Sequence, residues 1–203
     1  MAEKPGLSLE QALWDKGFPL VGGVDEAGRG AWAGPIMAGA VILPNQNNIQ
    51  NRLAGVRDSK KMTAAQREYW ATEIKSVAVS WSIGSVSNFE IDQIGILPAN
   101  RLAMQRAIEG LAALPQYFLF DFIHWKNCPY PGEKLVKGET QSLSIAAASV
   151  LAKTTRDAFM RNLDAQFPGY ELGRHKGYGT AIHRSAILCL GLADIHRKSF
   201  RIP

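Results

Sequence analysis

The feature that most constrains the fold is a glycine-rich turn joining two short apolar runs near the N-terminus. Residues 20–24 form the first run and residues 36–43 the second, and both have the length and composition of β-strands. Between them, Asp25-Glu26 is followed by Ala-Gly-Arg-Gly, and the segment ends at Pro35. Glycine permits backbone conformations that other residues disfavour. We therefore expect two strands joined by a tight turn, with two carboxylates where the first strand ends.

Patterning along the rest of the chain predicts alternating helices and strands. Capping residues and apolar spacing indicate a helix opened by a Ser8-x-x-Gln11 capping box, and further helices over residues 63–75, 88–111, 144–167 and 177–191. We expect an interruption near Pro98, which lacks an amide for the helical ladder. Residues 77–86, 117–121 and 135–136 read as strands. Strands mixed with helices imply an α/β fold.

The acidic pair is a candidate metal site. Mg²⁺ and Mn²⁺ prefer oxygen ligands, and crowded carboxylates repel one another unless a cation lies between them. Adjacent residues of a strand point to opposite faces, so both can serve one site only if the backbone turns there, which the following Ala-Gly-Arg-Gly permits. Asp121, at the end of the aromatic strand 117–121, supplies another carboxylate. An Asp-Glu pair alone is more often a surface feature, so the pair needs this context.

The same turn has a rival interpretation as a nucleotide site. Residues 28–33 match the G-x-G-x-x-A pattern of dinucleotide-binding folds, which would make the chain an oxidoreductase. That pattern requires a helix to begin at the glycines, whereas Pro35 and the β-like run after it favour a strand. A sugar-phosphate backbone approaching the glycine amides, with Arg29 adding charge, explains the turn better.

Positive charge is concentrated in the last third of the chain. Residues 137–203 hold ten Lys or Arg against five Asp or Glu, whereas residues 1–136 hold thirteen of each. A one-sided basic surface suits a polyanion, because neutralising phosphates releases counterions. A solvated basic face without a partner explains the charge alone equally well.

Five ordered motifs resemble those of the ribonuclease HII family. They are the Gly-Val-Asp-Glu-Ala-Gly-Arg-Gly-Ala-Trp-Ala-Gly-Pro run ending at Pro35, Asp-Ser-Lys-Lys ending at Lys61, the helical stretch over residues 144–157, His-Lys-Gly-Tyr-Gly-Thr ending at Thr180 and His-Arg-Lys-Ser-Phe ending at Phe200. Together they cover roughly residues 20–200. A chance match of five motifs in order is far less probable than a match of one.

The resemblance implies an RNase H-like fold, with a mixed five-stranded sheet flanked by helices and a C-terminal helical extension. It implies hydrolysis of RNA in RNA–DNA hybrids, and cleavage 5′ of single ribonucleotides embedded in duplex DNA, leaving 3′-hydroxyl and 5′-phosphate ends. The catalytic and metal-binding set carries over as Asp25, Glu26, Asp121 and Glu139. Two divalent cations, Mn²⁺ or Mg²⁺, would activate water and stabilise the leaving 3′-oxygen.

The resemblance also assigns substrate contacts. Gly28-Arg29-Gly30 would sense the 2′-hydroxyl, the group that separates RNA from DNA, and Tyr178 would pack on the neighbouring deoxyribose. Lys60 and Lys61 are expected to contact phosphate, although such a pair is often only solvated. Ser149 and Lys153 lie four apart on one helical face and could both reach the substrate, with helix packing equally open for Ser149.

Glu139 departs from the family pattern, which usually reads Lys-Gly-Asp where this chain reads Lys137-Gly-Glu139. The extra methylene moves a carboxylate by about 1 Å, and such a displacement can cost a catalyst ~100-fold. A catalytically weakened nucleic-acid-binding relative is therefore the alternative to an active nuclease. We interpret Glu139 as a metal-site residue whose backbone lies further back, with an exposed turn glutamate as the other reading.

The remaining expectations concern organisation and setting. We expect one domain over residues 1–203, with an N-terminal helical arm (1–19) and a basic substrate-binding part from about 168 to 203. Cys128 and Cys189 form no CxxC pair, which favours a reducing, cytoplasmic setting. No apolar run is long enough for a membrane span. The expected partners are RNA–DNA hybrids and ribonucleotide-containing DNA duplexes, bound by a monomer.

Overall fold

The computed structural model describes residues 4–121 and 123–202. In this part of the chain, the centre is a five-stranded sheet in the order β3-β2-β1-β4-β5. The strands are β1 (Val21–Ala27), β2 (Ile36–Ile42), β3 (Ser80–Val86), β4 (Tyr117–Asp121) and β5 (Gly132–Leu135). β2 is antiparallel to β1 and β3, whereas β4 is parallel to β1 and β5. The expected mixed five-stranded sheet is confirmed.

Helices cover both faces of this sheet. They are α1 (Ser8–Asp15), α2 (Ile49–Arg52), α3 (Ala64–Val77), α4 (Asn88–Ile94), α5 (Ile96–Glu109), α6 (Leu143–Leu163), α7 (Leu172–His175) and α8 (Ala181–Leu190). Short 3₁₀ turns occupy Ser59–Lys61, Gly138–Thr140 and Asp164–Gln166. None of the helices seen in the described residues combines the length and apolar character needed to cross a membrane.

The long helix α6 lies unusually close to the sheet. A Cβ added to Gly23 of β1 would be 2.2 Å from the carbonyl carbon of Ser144, and one added to Gly39 of β2 would be 2.5 Å from the carbonyl oxygen of Ala148. Small residues on α6 therefore meet glycines on the strands. On the opposite face, α5 packs on Val24 and Phe120 through Ala103 and Met104. The sheet thus separates two apolar cores.

The capping of α1 differs from the prediction, and the interruption expected near Pro98 is present but lies at Gly95. α1 begins at Ser8, and its N-cap is Leu7, which makes no side-chain cap bond, so the predicted Ser8-x-x-Gln11 capping box does not form. The helix expected over residues 88–111 breaks at Gly95, whose φ of 81° ends α4 and begins α5. Pro98 lies in the first turn of α5, where its missing amide would have had no helical acceptor. The N-cap of α4 is Ser87.

A buried carboxylate joins α1 to the start of α6. Glu10 is 1% exposed and accepts hydrogen bonds from Ser142 Oγ at 2.6 Å, Ser144 Oγ at 2.7 Å and the Ser144 amide at 2.9 Å. Ser142 is the N-cap of α6, so Glu10 adds a negative charge where the helix dipole is positive. The amide of Leu143 also donates to Gly6 O at 2.9 Å. The N-terminal segment is therefore part of the scaffold of α6.

Replacing Glu10 with Ala should lower the free energy of unfolding by about 3 kcal/mol or more, because three hydrogen bonds to a buried charge disappear together. Glu10→Gln, which keeps the shape, should lose less. Chemical denaturation of both variants measures the effect, with Gln11→Ala on the exposed face of α1 as the matched control. A Glu10→Ala variant as stable as the control would show that these bonds contribute nothing net.

Candidate active site

Three carboxylates, Asp25, Glu26 and Asp121, lie on the neighbouring strands β1 and β4. The parallel register pairs Val24 with Phe120, so Asp25 and Asp121 are the next residues along each strand. β1 continues through Ala27, with Asp25 opposite Gly39 and Glu26 opposite Ala38, so the backbone does not turn at the acidic pair as the sequence suggested. The two side chains leave opposite faces of the sheet. The turn comes two residues later.

Asp25 lies on the α6 face and is buried at 6% exposure. Burial, together with repulsion from Glu26 and Asp121, raises the pKa of its carboxyl well above the ordinary value. The hydroxyl of Ser149 and the amide of Glu26, which donates to Asp25 Oδ1 at 2.7 Å, act in the opposite direction. Because the effects that raise the pKa outweigh those that lower it, the negative charge of ionised Asp25 is not fully compensated by its surroundings.

Glu26 lies on the α5 face, beside Asn100. Burial and repulsion from Asp121 raise the pKa of Glu26, while Arg29, Asn100 and Lys60 lower it. Its Oε2 atom is buried and has no hydrogen-bond partner among the described residues. Glu26 is therefore a second carboxylate whose charge is incompletely compensated.

The fourth acid, Glu139, reaches the site from a 3₁₀ turn between β5 and α6. The amide of Gly138 donates to Asp121 Oδ1 at 2.8 Å, and a Cβ on Gly138 would lie 2.7 Å from Ile145 Cδ1, so the turn is pressed against both neighbours. Burial and repulsion from Asp121 raise the pKa of Glu139, whose Oε2 also lacks a partner within the described chain. Glu139 is 8% exposed, which rules out the reading of an exposed turn glutamate.

The chemistry of this donor set fits a hard divalent cation. Across residues 4–121 and 123–202, no group of three or more His, Cys, Asp or Glu side chains is arranged to hold a metal ion. Repulsion from Asp121 nevertheless helps to raise the pKa of Asp25, Glu26 and Glu139, and two buried oxygen atoms, Glu26 Oε2 and Glu139 Oε2, lack partners among the described residues. A bound cation would supply both the missing charge and the missing partners.

A cavity of about 570 Å³ opens beside the acids. Most of the residues proposed from the sequence as substrate contacts line it, together with Glu26, Ala27, Ser59 and Arg67: they are Gly28, Arg29, Gly30, Lys60, Ser149, Lys153 and Tyr178. Lys61 is exposed and does not line the cavity. The sequence motifs therefore converge on one surface, with Lys61 at its periphery.

Lys60 is held at the edge of this cavity by a capped turn. Asp58 accepts from the Lys60 amide at 2.9 Å, and Ser59 bonds through its hydroxyl to Ser149 of α6 at 2.9 Å. Burial lowers the pKa of Lys60, but the combined attraction of Asp25, Glu139, Asp58 and Asp121 outweighs it and the pKa is raised. Ser149 is 5% exposed and links this turn to Asp25, so its hydroxyl is engaged within the protein.

Lys153 and Tyr178 also line the cavity. Lys153 Nζ is 2.7 Å from Asp157 Oδ1 and 5.2 Å from the centre of the Tyr178 ring. Asp157 also pairs with Arg67 at 3.1 Å, and Arg67 donates to the carbonyls of Ser59 and Met62. The ring of Tyr178 thus lies over a cation, with the rest of the side chain half-buried.

Sequence reasoning missed Arg67 and Ser59. Arg67 lies near the start of α3, where an arginine ordinarily faces solvent, and only the tertiary contact with Asp157 gives it a role. Ser59 lay inside the Asp-Ser-Lys-Lys motif, which could have singled it out. The oxidoreductase alternative is wrong, because β2 and not a helix follows the glycine turn.

Three histidines from different parts of the C-terminal sequence pack together next to the Tyr178 segment. They are His175, His183 and His196. The rings of His175 and His183 are 4.2 Å apart, and His183 Nε2 is 3.0 Å from His196 Nε2. His183 also bonds to the Tyr178 carbonyl at 3.1 Å. Burial lowers the pKa of all three and that of His183 to about 4. His175 is buried and stacks on His183, so its ring has a packing role.

Acid should weaken this cluster. Because the folded-state pKa of His183 is about 4, below the ordinary value of 6.5, the unfolded chain binds protons first. The stability that neutral, buried His183 contributes is fully present above pH 6.5. As the pH falls toward 4, the free energy of unfolding decreases by at most about 1.4 kcal/mol per pH unit for each such histidine. Denaturation across pH 4–7 should give a shallower pH dependence for His183→Gln than for the wild type.

His124→Gln, at an exposed histidine, is the matched control and should keep the wild-type pH dependence. Asp25, Glu26 and Glu139 affect stability with the opposite sign, since their pKa values are raised, so the difference between variants is the quantity to compare. Identical pH profiles for His183→Gln and wild type would contradict the prediction.

Comparison with known proteins agrees with the motifs. The family model described as Ribonuclease HII matches residues 22–202. A protein of Dehalococcoides mccartyi strain 195 named Ribonuclease HII is 46% identical over 196 residues, which span 97% of this chain and 92% of that protein. Similarity therefore extends over nearly the full length of both.

Solved structures show the same fold at lower identity. The ribonuclease H2 of Pyrococcus horikoshii OT3 superposes with a TM-score of 0.73 at 23% identity, covering 90% of this chain and 94% of that one. Bst-RNase HIII in complex with Mn²⁺ superposes with a TM-score of 0.68 at 21% identity, covering 90% and 67%. At these identities the likeness concerns the fold alone.

Proposed function

Since the chain belongs to the ribonuclease HII family, we propose that it cleaves the RNA strand of RNA–DNA hybrids and nicks duplex DNA 5′ of a single embedded ribonucleotide. The products would carry 3′-hydroxyl and 5′-phosphate ends. One observation carries the proposal: four carboxylates, three of which have raised pKa values, lie beside a cavity lined by the glycine turn, Lys60 and Tyr178.

The residues that would hold divalent cations are Asp25, Glu26, Asp121 and Glu139. When bound, Mg²⁺ or Mn²⁺ supplies the activation of a water molecule and the stabilisation of the leaving 3′-oxygen. The Mn²⁺ complex of Bst-RNase HIII supports this choice of ion class. We propose two ions, because four carboxylates are more negative charge than one divalent cation neutralises.

The chain itself would position the nucleic acid. Lys60 and Lys153 both line the cavity and are available to contact phosphates, with Lys61 adding charge at the periphery. Arg29 and Gly30 are exposed on the turn that follows β1, within reach of a ribose placed beside Glu26. Tyr178 offers the face of a ring to the adjacent sugar. Reading the 2′-hydroxyl next to the acids would couple recognition to cleavage.

The test is incubation with a DNA duplex carrying one ribonucleotide, with Mg²⁺, with Mn²⁺ and with a chelator. Metal-dependent nicking 5′ of the ribonucleotide, with no nicking of the matched all-DNA duplex, is expected. Tight binding without nicking in either metal would instead identify a catalytically weakened relative, the alternative raised by Glu139. An RNA–DNA hybrid in parallel gives the balance between the two substrates.

A further inference from the structure

Arg197, a fully buried arginine from the C-terminal segment, donates three hydrogen bonds to the glycine turn between β1 and β2. Arg197 lies beyond α8 and is 0% exposed. Its Nη2 donates to Gly28 O at 2.7 Å, its Nη1 to Arg29 O at 2.9 Å and its Nε to Gly34 O at 3.0 Å. All three acceptors belong to the turn between β1 and β2. A residue far along the chain therefore fixes the shape of this turn.

A second buried arginine, Arg156 of α6, supports the other side of the turn. Its guanidinium donates to Pro35 O at 2.9 Å, Ala33 O at 3.1 Å and Lys176 O at 2.9 Å. Gly28, at φ 90°, lies directly on it, since a Cβ there would be 2.0 Å from Arg156 Nε. The turn is thus enclosed between two guanidinium groups.

Among the described residues, both buried guanidinium groups donate hydrogen bonds to backbone carbonyls alone, so their burial is costly. Neither arginine makes an ion pair with a carboxylate in the part of the chain that the structure describes. Burial lowers the pKa of Arg197 to about 9, with repulsion from Arg156 adding to the effect. A planar group that bridges three carbonyls gives a rigidity that a neutral side chain would not match.

The direction of these bonds determines where the turn's amides point. In a trans peptide, the carbonyl of one residue and the N–H of the next point to opposite sides. Because Arg197 draws the carbonyls of Gly28 and Arg29 inward, the N–H groups of Arg29 and Gly30 point outward, toward the cavity. No acceptor for these two amides is found among residues 4–121 and 123–202.

We propose that Arg197 is a specificity-determining positioning residue, which orients the amides of Arg29 and Gly30 as donors to the ribose of the substrate. It touches no substrate itself. The inference rests on the proposed function, in which this turn distinguishes ribonucleotides from deoxyribonucleotides. It predicts that weakening Arg197 reduces discrimination more than it reduces affinity for nucleic acid in general.

The experiment compares wild type with Arg197→Lys, because one ammonium group cannot span three carbonyls. Fluorescence anisotropy in metal-free buffer measures the dissociation constants for a duplex with one ribonucleotide and for the matched all-DNA duplex. The preference for the ribonucleotide should fall about tenfold, the worth of two hydrogen bonds, while affinity for the all-DNA duplex changes less than about threefold. Arg52→Lys, at an exposed arginine of α2, is the matched control and should keep the wild-type preference.

An equal fall in both affinities, or an unchanged preference, would overturn the proposal. If the wild type itself showed no preference, the proposed role of the turn would fail, and the inference with it; that failure is visible before any variant is considered.

A thermal melt checks that Arg197→Lys folds. Should it not fold, Phe200→Leu removes the ring that lies 5.1 Å from the Arg197 guanidinium and should lower the preference about threefold. An unchanged preference in that variant would equally overturn the proposal.

Discussion

An Asp25→Asn variant is expected to nick a ribonucleotide-containing duplex at least ~1,000-fold more slowly than wild type, while binding it with nearly unchanged affinity. Repulsion from both Glu26 and Asp121 acts on the Asp25 carboxyl, so loss of its charge removes an acid that is near enough to both to share a cation with them. Single-turnover cleavage and anisotropy measure the two quantities separately. Retained activity would refute the metal role of Asp25.

The same substitution should not destabilise the fold. Burial and like charges raise the pKa of Asp25, so ionised Asp25 costs stability at neutral pH, and a neutral amide relieves that repulsion. We expect Asp25→Asn to unfold at an equal or higher denaturant concentration than wild type. Asp15→Asn, on the exposed face of α1, is the matched control and should leave both activity and stability unchanged.

Glu139→Gln is expected to lose ~100-fold or more in cleavage rate, with weaker binding of Mn²⁺ in calorimetry performed without substrate. Glu139→Asp should retain more activity than Glu139→Gln, because it keeps the charge but draws it back by one methylene. Glu133→Gln, at an exposed glutamate of β5, should behave as wild type in both measurements. Full activity of Glu139→Gln would leave only three acids in the catalytic set.

Much of the site could be predicted because several of its residues lie in short sequence patterns that also determine the local structure. The aromatic run that delivers Asp121 forms β4 with the predicted bounds, and the glycines that follow Asp25 and Glu26 do form a turn. The end of β1 was misplaced because two carboxylates and two glycines are poor strand formers in isolation. Pairing with Gly39 and Ala38 of β2 overrides that local preference.

The supporting residues could not be predicted, since their role depends on contacts between distant segments. Glu10 reads as a surface residue of a short helix until Ser142 and Ser144 are seen to bond to it. Arg156 and Arg197 contributed to the basic excess of the last third, yet both are buried. That excess is therefore partly internal, and the exposed basic surface is smaller than the sequence count suggests.

The parallel pairing of β1 with β4 also has a kinetic consequence. Leu20 and Gln116, at the beginning of these strands, bond across a separation of 96 residues. Closing so long a loop loses chain entropy before any contact compensates for it, and such pairings slow folding. Asp25 and Asp121 come together only when the loop closes, so their mutual repulsion opposes the same event. A divalent cation that binds the native acids but not the unfolded chain shifts the equilibrium toward the closed loop. The cation proposed for catalysis would therefore also increase the free energy of unfolding.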